Sequence, residues 1–348
     1  MAENKHTKGD LAQMQSLPLS IKISMTTRRI RDWYDYWDGN VYISFSGGKD
    51  STVLLHMARQ LYPDIEAVFV NTGLEYPEIQ QFVKSFDNVT ILRPKMRFDE
   101  VIKTYGYPII SKSTSHKIHD AKAGREWALR YVNGTAIKAN GEKSFFTVEK
   151  FKPLLNADFE VSHKCCDIMK KEPLKKYGRL TGKKPITAQM AEESKLRLAQ
   201  WLQKGCNAFE TKNPMSNPMS FWTEQDVLQY IKRFGVPIAS VYGDVVYEDL
   251  PEQTRLEEFG IDGVGSDKLV TTGCDRTGCI FCAFGCHLER EPSRFQRLKE
   301  THPRQYEYCI GGGEYDENGI WKPNKQGLGM GHVFDELNKL YGDGFIKY

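Results

Sequence analysis

The sequence predicts an α/β fold: a doubly wound, mostly parallel sheet with a helical insertion, followed by a smaller cysteine-rich C-terminal region. Three observations predict it. Short apolar, β-branched runs alternate with helical patterns, the order that builds a parallel sheet covered by helices on both faces. A glycine-rich turn joins the first of these runs to the helix after it. The length, 348 residues, suits one large α/β domain with an appendage.

The elements follow in order. Residues 1–19 read as a loose polar arm. From Ser20 to Trp37 the pattern is helical, with Ile21, Ile30, Trp33 and Trp37 available for one face. Asp38-Gly39-Asn40 breaks it. Val41–Phe45 reads as a buried strand, Ser51–Leu61 as a helix and Ile65–Asn71 as a second strand. Tyr76-Pro77-Glu78 opens a helix with proline at the tolerated first position, and Val89–Leu92 is a third strand. A polar stretch from about 105 to 160, helical over Ser111–Tyr131 and broken by turns at Asn133-Gly134 and Asn140-Gly141, reads as an insertion. Lys184–Ala188 returns to a strand, Glu192–Trp201 to a helix, and Thr223 with Asp226 caps a helix to Phe234. These boundaries make residues 20–240 one nucleotide-binding α/β domain. Residues 241–348 are loop-rich and hold most of the cysteines, with a flexible break at Gly311-Gly312-Gly313 and a last helix at about Val333–Leu340. No repeat or low-complexity tract is present.

The hydrophobic fraction of 40% and charged fraction of 27% are those of a soluble globular protein. A formal charge of +3 does not by itself argue for nucleic acid. No run approaches the ~18 apolar residues of a membrane helix, and the polar N-terminus lacks a signal-peptide core. A cytoplasmic protein is expected, whose 8 cysteines serve as metal ligands or redox groups rather than in disulfides. They are clustered: Cys165 and Cys166 are adjacent, Cys274, Cys279, Cys282 and Cys286 share one segment, and Cys206 and Cys309 stand apart.

Ser44-Phe45-Ser46-Gly47-Gly48-Lys49-Asp50-Ser51-Thr52 lies after a strand and before a helix. Its glycines let backbone amides approach an anion, the helix start adds its dipole, Lys49 adds a full charge, and Ser46, Ser51 and Thr52 offer hydroxyls. The spacing is not that of a Walker A loop. It resembles the signature of the pyrophosphatase-loop (PP-loop) nucleotide α-hydrolases. Asn71-Thr72-Gly73 then resembles an aspartate-threonine-glycine stretch of the phosphoadenylyl-sulfate reductase branch, with Asn in place of Asp.

His163-Lys164-Cys165-Cys166-Asp167-Ile168-Met169-Lys170-Lys171-Glu172-Pro173-Leu174 resembles a segment of adenylyl-sulfate reductases. There, two adjacent cysteines and a later Cys-x-x-Cys hold a four-iron four-sulfur cluster, which implies Cys165, Cys166, Cys279 and Cys282 as ligands. Zinc on Cys274, Cys279, Cys282 and Cys286 is the competing reading. The stretch from Ile186 through Gln189, Glu193 and Arg197 resembles a strand and helix that the family places near its nucleotide, and Arg276-Thr277-Gly278-Cys279-Ile280-Phe281-Cys282 resembles its second cysteine segment. Coverage is roughly residues 25–290.

The resemblance breaks in two places. Reductases of the family use a cysteine near the C-terminus in a glutamate-cysteine-glycine context; Tyr341–Tyr348 holds none, and Cys309 lacks that context. Those reductases also usually degrade the Gly-Gly-Lys-Asp core, which is intact here. The expectation is therefore an enzyme of sulfur metabolism acting on ATP with Mg²⁺ at its α-phosphate. Lys49 and Asp50 are its catalytic candidates. Ser44, Ser46, Gly47, Gly48, Ser51, Thr52, Asn71, Thr72, Gly73, Gln189, Glu193, Arg197 and Arg276 join them in the nucleotide site. Reduction of adenylyl sulfate or its 3′-phosphate is the alternative, and a nucleotide-binding accessory subunit with structural zinc a third. A sulfur-donor or redox protein, a nucleic-acid acceptor and a homodimer stay open as partners.

Overall fold

The apolar runs become a six-stranded sheet in the computed structural model, which describes residues 4–248 and 267–348. Its order is Val89–Leu92, Ala67–Val70, Val41–Ser44, Lys184–Ile186, Met215–Ser216, Asn207–Ala208. Every pairing is parallel except the last, at the edge. The fold is thus doubly wound, as expected. Strands at the centre of such a sheet are buried on both faces and lose the in–out alternation; accordingly Val41, Ile43, Ala67, Val68 and Phe69 are all buried. The chain departs from Val41–Ser44 to one side for two strands and later returns on the other side. The turn after Val41–Ser44 therefore lies at the switch in strand order, where open α/β sheets place ligands.

Chain contacts divide the molecule into two units, and the division does not fall at residue 240. The first comprises residues 1–71, 75–92 and 174–277 and contains the whole sheet. The second comprises 72–74, 93–173 and 278–348, joining the insertion to the end of the chain.

In the first unit, helix Leu19–Tyr36 buries Ile30 and Trp33, whereas Ile21 is exposed. Its buried Lys22 pairs with Asp226 at 2.7 Å. Asp226 also closes the capping box of Thr223 at the start of helix Glu224–Phe234. Residues 8–15 form a capped helix, Lys8–Gln15, rather than a loose arm: Thr7 accepts from the Asp10 amide while Asp10 accepts from that of Thr7. The helix expected over Glu192–Trp201 starts later, at Lys195, because Ser194 is extended and caps it.

In the second unit the insertion is helical, with Lys112–Lys122, Glu126–Val132 and a 3-10 segment Glu149–Asn156. Two helices not anticipated, Arg294–Thr301 and Pro303–Ile310, precede the last, Met330–Tyr341. The glycine triplet is packed rather than a loose break. Gly312 bridges Leu328, and a side chain at Gly313 (φ +90°) would collide with Trp321. The part of the loop-rich reading at 249–266, like residues 1–3, lies outside the described residues. No described helix is long and apolar enough to cross a membrane.

Candidate functional site

The glycine-rich turn is built from its backbone outward. Gly48 is the N-cap of helix Lys49–Leu61, so the first helical amides and the positive end of the dipole face the turn. Gly47 sits at φ +72°, and a Cβ there would meet Ile79 and Val83 at 2.8 Å. Only glycine supplies that backbone without strain. We expect Gly47→Ala to destabilise the fold by ~2 kcal/mol or more, read as a lower denaturation midpoint. A midpoint unchanged within error would show that the turn tolerates a side chain.

The hydroxyls brace the turn. Ser51 Oγ donates to the Gly48 carbonyl at 2.9 Å and accepts from the Ser46 amide at 3.2 Å. Thr52 Oγ1 donates to the same carbonyl at 3.0 Å. Ser46 is exposed, its Oγ 3.0 Å from that of Ser51. The strand-end Ser44 is half-buried.

Lys49 is 4% exposed. Its ammonium bonds the Asp275 carbonyl, pairs with Glu224 at 2.9 Å and lies 5.5 Å from the centre of the Tyr242 ring. Its amide donates to the Tyr242 hydroxyl at 3.2 Å, which also bonds Thr277. Burial raises the Asp50 carboxyl above the usual range, against the lowering by Lys49, Arg276 and Arg197. Asp50 Oδ1 is buried without a hydrogen-bond partner. An orphaned carboxylate oxygen beside a helix-start turn fits a hard cation such as Mg²⁺, which takes oxygen ligands.

Glu193 gathers two cations, pairing with Arg276 at 2.5 Å and with Arg197, while its carboxylate also accepts from the Met190 amide at 2.9 Å. The structure therefore brings Lys49, Asp50, Glu193, Arg197 and Arg276 into one charged cluster, together with Thr277 of the second cysteine segment and with Glu224, Tyr242 and Asp275, which the sequence did not single out. Gln189 is half-buried in the connection after Lys184–Ile186. The Asn71 amide donates to Leu92, holding the end of its strand. Thr72 and Gly73 belong to the second unit, where Thr72 Oγ1 accepts from the Leu74 amide at 3.2 Å.

A short stretch, Tyr107–Ile110, assembles the cysteines in the second unit. Tyr107 bridges Val161 on one side, which leads into Cys165 and Cys166. Ile109–Ile110 pairs in parallel with Ala283–Phe284, directly after Cys282. The Cys282 amide donates to the Cys279 carbonyl, and the Ile280 amide to Leu74. The four thiols thereby share one neighbourhood. Burial pushes the Cys165 thiol up, and Cys166, Cys279 and Cys282 push it further, while Lys170 opposes them. Burial, then Cys279, lifts the Cys282 thiol to about 11, and Arg294 lowers it. A π-helical turn, Asp167–Lys171, follows the adjacent pair. Such turns are rare and concentrate at functional sites.

Four cysteine sulfurs, with Lys170 acting on Cys165 and Arg294 on Cys282, fit an anionic thiolate-bound cluster. Among the described residues no three His, Cys, Asp or Glu side chains converge on one point as a single ion requires. Cys274 groups with the first unit. Cys286 is buried, its thiol donating to the Ala283 carbonyl at 3.0 Å. Cys206 is buried, accepting from Ser220 Oγ at 3.1 Å. Cys309 is fully buried, its thiol pushed up by burial.

Residues 40–121 and 108–284 match the family model described as the phosphoadenosine phosphosulfate reductase domain. An uncharacterized protein of Methanocaldococcus jannaschii is 30% identical over 129 residues, 35% of this chain and 31% of that protein. A Xanthomonas euvesicatoria phosphoadenosine 5′-phosphosulfate reductase is 24% identical over 200 residues, 57% of this chain and 64% of that enzyme. A Bacillus cereus adenosine 5′-phosphosulfate reductase is 30% identical over 79 residues, 21% of this chain and 34% of that enzyme. The chain thus spans between 31% and 64% of the length of these relatives.

Proposed function

This chain belongs to the phosphoadenosine phosphosulfate reductase domain family, and from that premise we propose that it binds ATP at the Ser46–Thr52 turn and acts at the α-phosphate. An acceptor oxygen bonds to the α-phosphorus and gives its proton to solvent. The bond from that phosphorus to the bridging oxygen breaks, and its electron pair leaves with pyrophosphate. Lys49 and the turn amides stabilise the charge growing on the leaving group. A sulfide-level nucleophile, hydrosulfide or a thiol, then bonds to the atom bearing the adenylylated oxygen, and the bond to that oxygen breaks with its electron pair leaving on AMP.

The single observation behind this reading is the turn itself: Lys49, nearly unexposed, follows the Gly48 N-cap, so its charge and the helix-start amides suit the phosphate tail of a nucleotide. Arg197 and Arg276, held by Glu193, supply the remaining positive charge. Mg²⁺ beside Asp50 would screen the phosphates, its orphaned Oδ1 being the motive. Cys165, Cys166, Cys279 and Cys282 would hold a four-iron four-sulfur cluster, which when bound supplies one-electron chemistry.

The names of the Xanthomonas and Bacillus relatives favour a second reading, reduction of adenylyl sulfate or its 3′-phosphate to sulfite. Against it, Cys309 is shut away from any substrate. Calorimetry separates the two. We expect ATP to bind at least tenfold more tightly than adenylyl sulfate, which has no β,γ-phosphates for Lys49. Product analysis should then find pyrophosphate. Tighter binding of adenylyl sulfate, with sulfite released from it, would establish the reductase reading instead.

A further inference from the structure

Charge is unevenly distributed along this chain. Residues 112–152 hold nine Lys and Arg against four Asp and Glu, a net +5, whereas the whole chain carries +3. All of this segment lies in the second unit. Residues 136–144 within it form a hairpin. Ile137 bridges Lys143, the Lys138 amide donates to the Glu142 carbonyl at 2.7 Å, and Gly141 (φ +82°) makes the turn.

The hairpin is anchored at its root. Ala136, Ser144 and Val148 are buried, and the Ser144 amide donates to the Ala136 carbonyl at 2.8 Å. Between those anchors the large apolar side chains face water: Phe145 is 84% exposed, Phe146 72% and Ile137 68%. Three such side chains on one fixed segment lose the free energy that burial would return, so their exposure calls for an occupant. Exposed Lys143, Lys150 and Lys152 lie within seven residues of the two rings. Lys138 stands 3.7 Å above the centre of the Phe145 ring.

The occupant must offer flat apolar faces and negative charge together. Unpaired bases on a phosphate backbone do so, because aromatic side chains stack on exposed bases while lysines track the phosphates. A duplex keeps its bases stacked inside and offers the rings nothing. An anionic membrane fits less well. The hairpin tip is the polar turn Asn140-Gly141-Glu142, and the rings lie beside it rather than at the point that would enter lipid. We propose that segment 137–152, the hairpin and the turn that follows it, is a docking surface for single-stranded nucleic acid, with Phe145 and Phe146 as the stacking platform.

Fluorescence anisotropy of the full chain with a labelled single-stranded oligonucleotide of about twelve bases tests this, against the same sequence as a duplex. The single strand should bind at least tenfold more tightly than the duplex. Phe145→Ala with Phe146→Ala should weaken it tenfold or more while the melting curve stays in place, since both rings are already exposed. Lys150→Gln with Lys152→Gln should lower the slope of log affinity against log salt by about one to two. Equal binding of duplex and single strand, an unchanged affinity in the double phenylalanine variant, or binding to anionic vesicles with none to oligonucleotide would each overturn the proposal. The measurement uses no ATP, so it stands or falls separately from the nucleotide site.

Discussion

Lys49→Ala is expected to abolish measurable pyrophosphate release, a loss of at least ~100–1,000-fold, while the fold persists. Loss of one preorganised donor at a site of developing charge costs about that much. Lys49 is also the only full positive charge on the turn itself. The fold should survive because the partners of Lys49 can be resolvated. Glu224 is about half exposed, and the Asp275 carbonyl can take water. Lys49→Met, which keeps most of the side-chain volume, guards against a collapse of the buried space. Release by either variant at the native rate would sink the assignment. Glu224→Gln bears on the same contact from the other side. In the structure Glu224 neutralises Lys49, so a pyrophosphate tail must displace it. Removing that carboxylate should tighten inorganic pyrophosphate several-fold in the presence of Lys49 and have no effect in its absence.

The turn was legible in the sequence because its chemistry is local. Gly47, Gly48 and Lys49 are consecutive and follow a run that could only be a buried strand. The Thr223–Asp226 cap was legible for the same reason. The groups that complete the site were not. Tyr242, Asp275 and Thr277 reach Lys49 and each other across spans of chain that leave no periodicity to read. Glu224 is a first-turn acid, a position where an acid is common for the helix dipole alone. The adjacent cysteines and the Cys279–Cys282 pair stood out, but the strand that joins their segments, Ile109–Ile110, is two residues long and carries no distinguishing pattern. A signal was overlooked at Ser293-Arg294-Phe295-Gln296. That spacing is a capping box, and it opens the helix Arg294–Thr301. Pro303 at the first position of the next helix was a second such signal.

Cys165→Ser or Cys279→Ser is expected to remove most of the iron from protein purified without oxygen, leaving Cys206→Ser brown. Each of the first two would take one of four thiolates from the proposed cubane cluster, and the spare cysteines of the second segment are Cys274, which groups with the sheet-bearing unit, and Cys286. That thiol bonds the Ala283 carbonyl and is buried, so Cys286→Ser should retain its iron. Cys206 sits in the sheet-bearing unit with Ser220 as its partner. Burial, and then Cys166, Cys279 and Cys282, drive the Cys165 thiol upward, because a thiolate there is desolvated and repelled by its neighbours. A bound iron centre would offset that penalty by taking the sulfur charge into coordination. Lys170 and Arg294 would then offset the net negative charge that remains. Visible absorption and iron and sulfide assays measure the loss in each variant. Native protein that contains one zinc and no iron when isolated anaerobically, with the zinc unaffected by Cys165→Ser, would remove the cluster from this chain and leave Cys165 and Cys166 as buried structural thiols.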